Sequence, residues 1–303
     1  MAAPRLLVVM LNWNASAMTL GGLDDLLGWE YPLDRVSLLV HDNASNDGDW
    51  QAVAERVAAL DGRRGLRAVF RRFAAHPGVT ASFNAALAEA ASADYVIRLD
   101  NDVRLDPQAA GRLVAFMEAN PTAGVCAPLL RVGGPEGRPL SGPVRFDPAQ
   151  GSICQPVTGA VPVACDLVDG AVMLARRVAL DGLGHWFDPD LFLFHEEEDL
   201  CLRLDAAGWR SWFVPEAGGV AFPGTSTGRT PWLSQYLDHR NRILVMHLLR
   251  PRWRVGLGQL RHAPRILARS LRRRSTAPLL GFLAGLLGVR HDAAWWRRKL
   301  GER

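Results

Sequence analysis

The chain has 303 residues, 49% of them hydrophobic and 22% charged, with a net charge of +4 and no low-complexity tract. That balance excludes a disordered or fibrous protein and predicts a sizeable core, either one large α/β domain or a domain with a smaller appendage. Cys126, Cys154, Cys165 and Cys201 form no C-x-x-C pair, which argues against a zinc ribbon or a dithiol redox centre and fits a reduced cytoplasmic setting.

The opening run "MAAPRLLVVMLNWN" is apolar but short and lacks a small-residue cleavage site, so it reads as a first strand rather than a secretory signal. "VSLLVH", "LRAVFRR" and "YVIRL" follow as further strands rich in Val, Leu or Ile, each ending in polar or turn residues. Helical segments alternate with them. Ser16 is expected to cap a helix carrying Leu20, Leu23, Leu26 and Leu27, and "DWQAVAERVAAL" puts Val53, Val57 and Leu60 on one face. An Ala-rich helix is expected from Thr80 to Ala91. Asp106 and Pro107 signal the start of another, which Pro121 closes. This βαβα rhythm predicts a mainly parallel, doubly wound sheet.

In such sheets ligands sit beyond the carboxyl ends of the strands. Asn12 and Asn14 follow the first strand, Asp42, Asn43 and Asp47 the second, His76 to Asn84 the third, and Asp100, Asn101 and Asp102 the fourth. Neither a G-x-G-x-x-G loop nor a Walker A loop is present, so a bound diphosphate needs another source of positive charge. Asp100 and Asp102, two apart in an extended segment, would face one hard cation such as Mg or Mn. Turn and cap chemistry accounts for these Asn and Asp residues equally well. Further on, "LFLFHEEEDLCLRL" sets Glu196, Glu197, Glu198 and Asp199 at the start of an amphipathic helix. The helix dipole favours acidic residues there, but four adjacent carboxylates beside apolar walls also raise a pKa, which suits a general base.

The ordered series "VVMLNWN", "VHDNASNDGD", "HPGVTASFNAAL", "YVIRLDNDV" and "DGAVMLARRVALDGLGHWFDPDLFLFHEEEDLCLRLDAAGWRSWFVPEA" resembles the family 2 glycosyltransferases of the rhamnosyltransferase-like kind, over about residues 5–245. The resemblance implies a GT-A fold over residues 1–250, with a nucleotide-binding half (1–105) and an acceptor-side half (106–250), and leaves 251–303 as a basic helical appendage. It implies metal-dependent, inverting transfer from a dTDP-, UDP- or GDP-sugar to a hydroxyl acceptor: a glycan, a lipid-linked glycan or a small aglycone. Carried over, Asp42 would contact the base and Asn12 would lie beside the nucleotide. Asn14, Asn43, His76, Gly78, Asn84 and Asn101 would line the same side, with Asp100 at the ribose or a metal-bound water. Asp102 would hold the Mg or Mn, and Glu197 would be the general base. His195, Glu196 and Asp199 would orient the helix or bind acceptor hydroxyls. Two departures stand out: the family's metal-completing His is absent between Pro215 and Gly228, and His76 replaces the usual Asn. His239 or Arg240, in the Arg-Asn helix "YLDHRNRILVMHLLRP", would help neutralise the diphosphate in its stead.

Two other readings remain at this stage. A nucleotidyltransferase would share the sheet and acidic site, though no Gly-rich basic loop follows the first strand; a non-catalytic subunit would have lost its metal. The appendage alternates Trp253, Trp295 and Trp296 with Arg, which predicts peripheral contact with the inner face of a membrane or with a partner, or else a helical pair packed on the core. Its run "APLLGFLAGLLG" is too short to span a bilayer. No nucleic acid polymer is expected as a ligand.

Overall fold

The four apolar runs of the first hundred residues become β1 (Leu6–Asn12), β2 (Val36–Asp42), β3 (Arg67–Arg72) and β4 (Tyr95–Leu99) in a computed structural model. It describes residues 2–147, 151–155, 157, 159–222, 230–249, 255–256, 258–259 and 261–300. These four strands are mutually parallel where they pair, in the order β4-β1-β2-β3. Alternate residues of β1 leave on opposite faces, so Leu6, Val8 and Met10 enter one core and Leu7 and Val9 the other. Both faces are covered by helices, which is why these strands read as unbroken apolar runs. α1 (Ser16–Leu26), α2 (Trp50–Leu60) and α4 (Ala109–Ala119) fill the first core with Leu23, Val53, Val57 and Leu113. α3 (Val79–Leu87) supplies Phe83 to the second.

The second half extends the same sheet with strands of both directions. β5 (Val103–Leu105), β6 (Ala123–Val132), β7 (Arg138–Pro139), β10 (Val163–Cys165), β11 (Val172–Arg176) and β12 (Arg210–Ala221) complete the order β10-β12-β6-β11-β4-β1-β2-β3, with β5 beside β12 and β7 beside β6. β8 (Val144–Asp147) and β9 (Gly151–Cys154) form a separate hairpin. β11 runs antiparallel to both β4 and β6, so the sheet is mixed, with a second parallel pair in β6 and β12. α5 (Arg177–Asp181) follows β11, and α6 (Glu196–Ala206) leads into β12.

Some local signals resolve differently from the sequence reading. Ser16 does not cap α1; its hydroxyl lies 3.1 Å from an Asp47 carboxylate oxygen and bonds the second strand-end loop instead. α3 gives way to a 3₁₀ turn at Ala88–Ala90, and α4 begins at Ala109, two residues beyond Pro107.

α7 (Pro231–Leu249), α8 (Ala263–Arg273), α9 (Ala277–Leu287) and α10 (Ala293–Leu300) form the C-terminal part. α9 lies close on α7: a Cβ at Gly285 would stand 2.8 Å from the Arg240 carbonyl oxygen. The run "APLLGFLAGLLG" is therefore largely a packing face, although Leu280, Leu283 and Leu287 remain exposed. No helix among the described residues is long and apolar enough to cross a membrane. Trp253 and the run 223–229, where the family's metal-completing His is sought, lie outside the described residues.

One loop positions the start of α6. Phe192, Phe194 and His195 all have left-handed backbones (φ 67, 70 and 64°), a conformation that bulky side chains adopt only when their surroundings enforce it. Asn241, fully buried on α7, enforces it by donating to the carbonyls of Leu191 (2.8 Å), Leu193 (2.8 Å) and Phe194 (3.0 Å). From the other side the Val79 N–H donates to the Phe192 carbonyl at 2.7 Å. Gly78 permits this approach, since a Cβ there would sit 2.6 Å from the Phe192 ring and its φ is +95°. Asn241→Ala is expected to orphan these carbonyls and cost about 2 kcal/mol or more. Thermal unfolding should register the loss as a melting point several degrees lower, and an unchanged value would remove Asn241 from this role.

Candidate active site

The carboxyl ends of β1, β2, β3 and β4 are tied together by buried polar side chains. The Asn12 amide donates to Asp42 at 2.8 Å and to the Ser45 hydroxyl at 3.2 Å, while its carbonyl oxygen accepts from Thr19 at 2.8 Å. Asn101 donates to the same Thr19 hydroxyl at 2.8 Å. Asp42 also accepts from the Ser45 N–H and from Arg72, each at 3.0 Å. Asn12 and Asp42 have no exposed surface. Asp42 was expected to touch the base, but its carboxylate is taken up by three donors inside the protein, and it braces the strand ends. Asn14, in a left-handed conformation (φ 52°), accepts the Asn46 N–H at 2.7 Å and belongs to the same scaffold.

In front of this floor opens a cleft of about 190 Å³, lined among others by Trp13, Asn43, His76, Asp100, Asn101 and Asp102. The His76 ring packs edge-on to Trp13 at 4.8 Å and is stacked with Phe192 at 5.4 Å. Burial pushes its pKa down to about 4, and its Nδ1 accepts the Gly78 N–H at 3.0 Å, so the imidazole is neutral with its proton on Nε2. Asn84 does not reach the cleft. It faces the Phe187 backbone, donating to the carbonyl at 2.7 Å and accepting the N–H at 2.9 Å.

Asp100 and Asp102 share the cleft, but not through strand alternation. They lie in a turn between β4 and β5, closed by the Val103 N–H on the Asp100 carbonyl at 3.1 Å. Burial raises both carboxyls, Asp100 to about 6 in spite of the Arg98 guanidinium beside it. Among the described residues, Asp102 takes no side-chain partner beyond its own backbone. No three His, Cys, Asp or Glu side chains converge into a metal-binding group among those residues.

Arg98 joins the two halves of the site. It sits on the otherwise apolar strand β4 with its side chain 8% exposed, between Asp100 (3.2 Å) and Glu196 (2.9 Å). Burial disfavours its charge, but Asp100, Glu196 and Glu197 outweigh that and hold it firmly protonated. Gly170 lets the two halves close: a Cβ there would lie 3.3 Å from both the Arg98 guanidinium and the Glu197 carboxyl carbon.

The four acidic residues of α6 separate into different tasks. Glu196 is the partner of Arg98. Glu198 pairs with His195 at 3.0 Å, and His195 reaches Asp238 at 3.2 Å. Burial opposes a charge on His195, yet those two carboxylates raise it to about 10, so it is a cation at neutral pH. Asp199 is held by Arg203 at 2.6 Å, a structural pair that also fixes the Trp186 carbonyl. Glu197 alone has no hydrogen-bond or ion-pair partner among the described residues. Burial first, and the neighbouring Glu196 charge second, push its pKa up to about 8.

Arg240 and His239 lie elsewhere. Arg240 is fully buried and donates to the Val289 carbonyl (2.9 Å), the Asp190 carbonyl (3.0 Å) and the Asn241 side chain (2.6 Å), binding the C-terminal helices to the aromatic loop. His239 lines a different cavity. Conversely, Arg98, Trp13, Phe192 and Leu300 belong to the site without having been singled out. A charge inside the apolar run "YVIRL" was the available signal for Arg98. Leu300 of α10 offered none, since only the fold brings it to the cleft.

Residues 7–146 match the family described as glycosyl transferase family 2. The chain is 27% identical over 277 residues to the N-acetylglucosaminyl-diphospho-decaprenol L-rhamnosyltransferase of Mycobacterium tuberculosis, spanning 82% of this chain and 89% of that protein. Among solved structures it is similar to GalNAc-T7 with UDP, GalNAc and Mn2+ (TM-score 0.62, 17% identity, 74% of this chain and 44% of that one). The mannosyltransferase PcManGT from Pyrobaculum calidifontis, in complex with GDP-Man and Mn2+, matches at TM-score 0.60 and 16% identity over 94% of this chain and 88% of that one. These structural likenesses carry the fold, which is GT-A. With a family 2 domain over residues 7–146 and a rhamnosyltransferase alignable along most of its length, the chain is a glycosyltransferase similar to the rhamnosyltransferases of that family.

Proposed function

We propose that the protein moves a sugar, of the L-rhamnosyl kind named for its mycobacterial relative, from a nucleoside diphosphate donor to a hydroxyl of a lipid-linked glycan, with inversion at the anomeric carbon. One observation carries the assignment of roles: among the described residues, Asp102 in the cleft and Glu197 beside Arg98 each have no hydrogen-bond or ion-pair partner side chain, and both have raised pKa values. A carboxylate held partly buried and unpaired costs stability, and it is retained where a ligand or a proton completes it.

Glu197 is the base. It accepts the proton of the acceptor hydroxyl as that oxygen forms its bond to the anomeric carbon, while the bond from that carbon to the diphosphate oxygen breaks and its electron pair leaves with the diphosphate. Asp102, with Asp100 at its side, fits one divalent cation of the Mg or Mn type, since a cation relieves the desolvated carboxylates. When bound, such a cation offsets negative charge on the departing diphosphate. Trp13 and the neutral His76 line the donor side, with Asn43 and Asn101 at the same wall. His195, a fixed cation held by Glu198 and Asp238, keeps the start of α6 in place. The basic C-terminal helices suit peripheral contact with the cytoplasmic face of a membrane, where a lipid-linked acceptor would be met.

Glu197→Gln is expected to abolish transfer while donor affinity, read by calorimetric titration, stays near that of the parent; normal turnover in the variant sinks the base assignment. Asp102→Ala should lose both turnover and any metal-dependent gain in nucleoside diphosphate affinity. The base must be ionised to work, so kcat should rise as pH passes through about 8 and level off above it. Stability takes the opposite sign. A carboxyl whose folded pKa is raised binds more protons in the fold than in the unfolded chain, so stability falls as pH climbs toward that value. Glu197→Gln should therefore melt higher than the parent above about pH 8, and an equal melting point would show that Glu197 is not desolvated.

A further inference from the structure

The cleft draws its two chemistries from the two halves of the chain. Its polar lining comes from the strand ends of the first half, Asn43, His76, Asn101 and Asp102 among them. Beyond Asp102, the described residues that line it are Phe192, Leu193, Thr230, Leu233 and Leu300. Four of those five are apolar and none is charged, so one side of a site for a sugar diphosphate offers almost no side-chain hydrogen bonding.

This apolar side is firmly held. Leu233 is buried, and Leu300 packs in the same hydrophobic cluster with Phe192 and Trp296. Trp296 stacks on Phe192 at 4.3 Å, which fixes the ring at the cleft. α10, which carries Leu300, is fastened at both ends. Just before its start, His291 Nε2 and the Tyr236 hydroxyl lie 2.6 Å apart, and Arg290 pairs with Asp190. Near its end, the Lys299 ammonium lies 4.2 Å from the centre of the Trp232 ring. Leu300 is thereby set in place at the cleft.

The position of this wall indicates which part of the donor meets it. Asp102 belongs to the diphosphate in the reading above, and Phe192 and Leu193 belong to the loop that runs directly into the helix of Glu197. The wall therefore lies toward the reacting sugar. Where a common hexose carries a hydroxymethyl group on its ring, a 6-deoxyhexose such as L-rhamnose carries a methyl. A methyl gains by leaving water for such a surface, whereas a hydroxyl brought to it loses its water partners and finds few replacements.

We propose that Leu300 and Leu233, backed by Phe192 and Trp296, seat that methyl and make the cleft selective for a 6-deoxy sugar. Leu300 is then a specificity-determining residue, and the C-terminal helix is part of the donor site. The inference rests on the L-rhamnosyl reading above and deepens it.

The test is calorimetric titration of the full chain, in the presence of Mn, with dTDP-L-rhamnose and dTDP-L-mannose, which differ only in that one hydroxyl. The UDP- and GDP-linked pairs are titrated in the same way. The parent should bind the rhamnosyl donor about 10- to 100-fold more tightly. Leu300→Asn, similar in size and able to hydrogen-bond the extra hydroxyl, should narrow the ratio to about threefold or less. Leu300→Met, still apolar, should hold the parent ratio. So should Leu287→Asn, at an exposed position of α9 outside the cleft. A ratio of two affinities measured on one preparation does not depend on how much of it is folded, so a general loss of stability cannot imitate the result. Equal or reversed affinities in the parent would overturn the selectivity, and equal ones would leave the rhamnosyl reading standing. A parent preference that Leu300→Asn leaves unchanged would remove α10 from the selection. A parent that binds neither donor with any of the three bases would remove the donor reading and the inference together.

Discussion

The site depends on one buried cation. Arg98 stands in the middle of β4, where its neighbours Ile97 and Leu99 are core residues, and it is compensated from two directions by Asp100 and Glu196. Removing either partner of such a pair leaves an uncompensated charge, which typically costs about 3–5 kcal/mol. The arginine therefore fastens the turn carrying Asp102 to the helix carrying Glu197, although the two lie almost a hundred residues apart in sequence. Phe83 and Phe187 face the guanidinium at 5.1 and 5.6 Å and keep water from it.

That fastening explains why four consecutive carboxylates are tolerated at the start of α6. Glu196, Glu198 and Asp199 each have a cationic partner, namely Arg98, His195 and Arg203. Among the described residues Glu197 has no such partner, and burial first, with the Glu196 charge second, raises its pKa. The left-handed backbones of Phe192, Phe194 and His195 turn the helix start to this orientation. Their strain is offset by the buried amide of Asn241 and by the close approach that Gly78 allows. Packing in the C-terminal helices thus reaches the site by a short route: Trp296 stacks on Phe192 at 4.3 Å, and Phe192 stacks on His76.

Much of the architecture could be read from residue patterns. The apolar runs marked β1 to β4, and the polar residues at their carboxyl ends marked where the cleft opens. Asp102 and Glu197 stood out by type and position. Less legible was the division of labour, because a side chain's task depends on partners that sequence does not display. Asp42 and Asn84 have the chemistry to bind a nucleotide, but Asn12 with Arg72 takes up the first and the Phe187 backbone the second. Arg240 has the charge to meet a diphosphate, yet it is enclosed among carbonyls. The antiparallel entry of β11 was hidden as well, since an apolar strand reads the same in either direction. Leu300 came to the cleft only through the packing of α7, α9 and α10, which no local pattern encodes.

A single displacement at the anomeric carbon, with Glu197 as proton acceptor, is the core of this account. The anomeric configuration of the product answers it most directly, read by NMR from the coupling constants of the transferred sugar against those of the donor. An inverted linkage is predicted. Retention of the donor configuration would contradict it, because retention requires a second displacement or a front-face route in which Glu197 does not act as described.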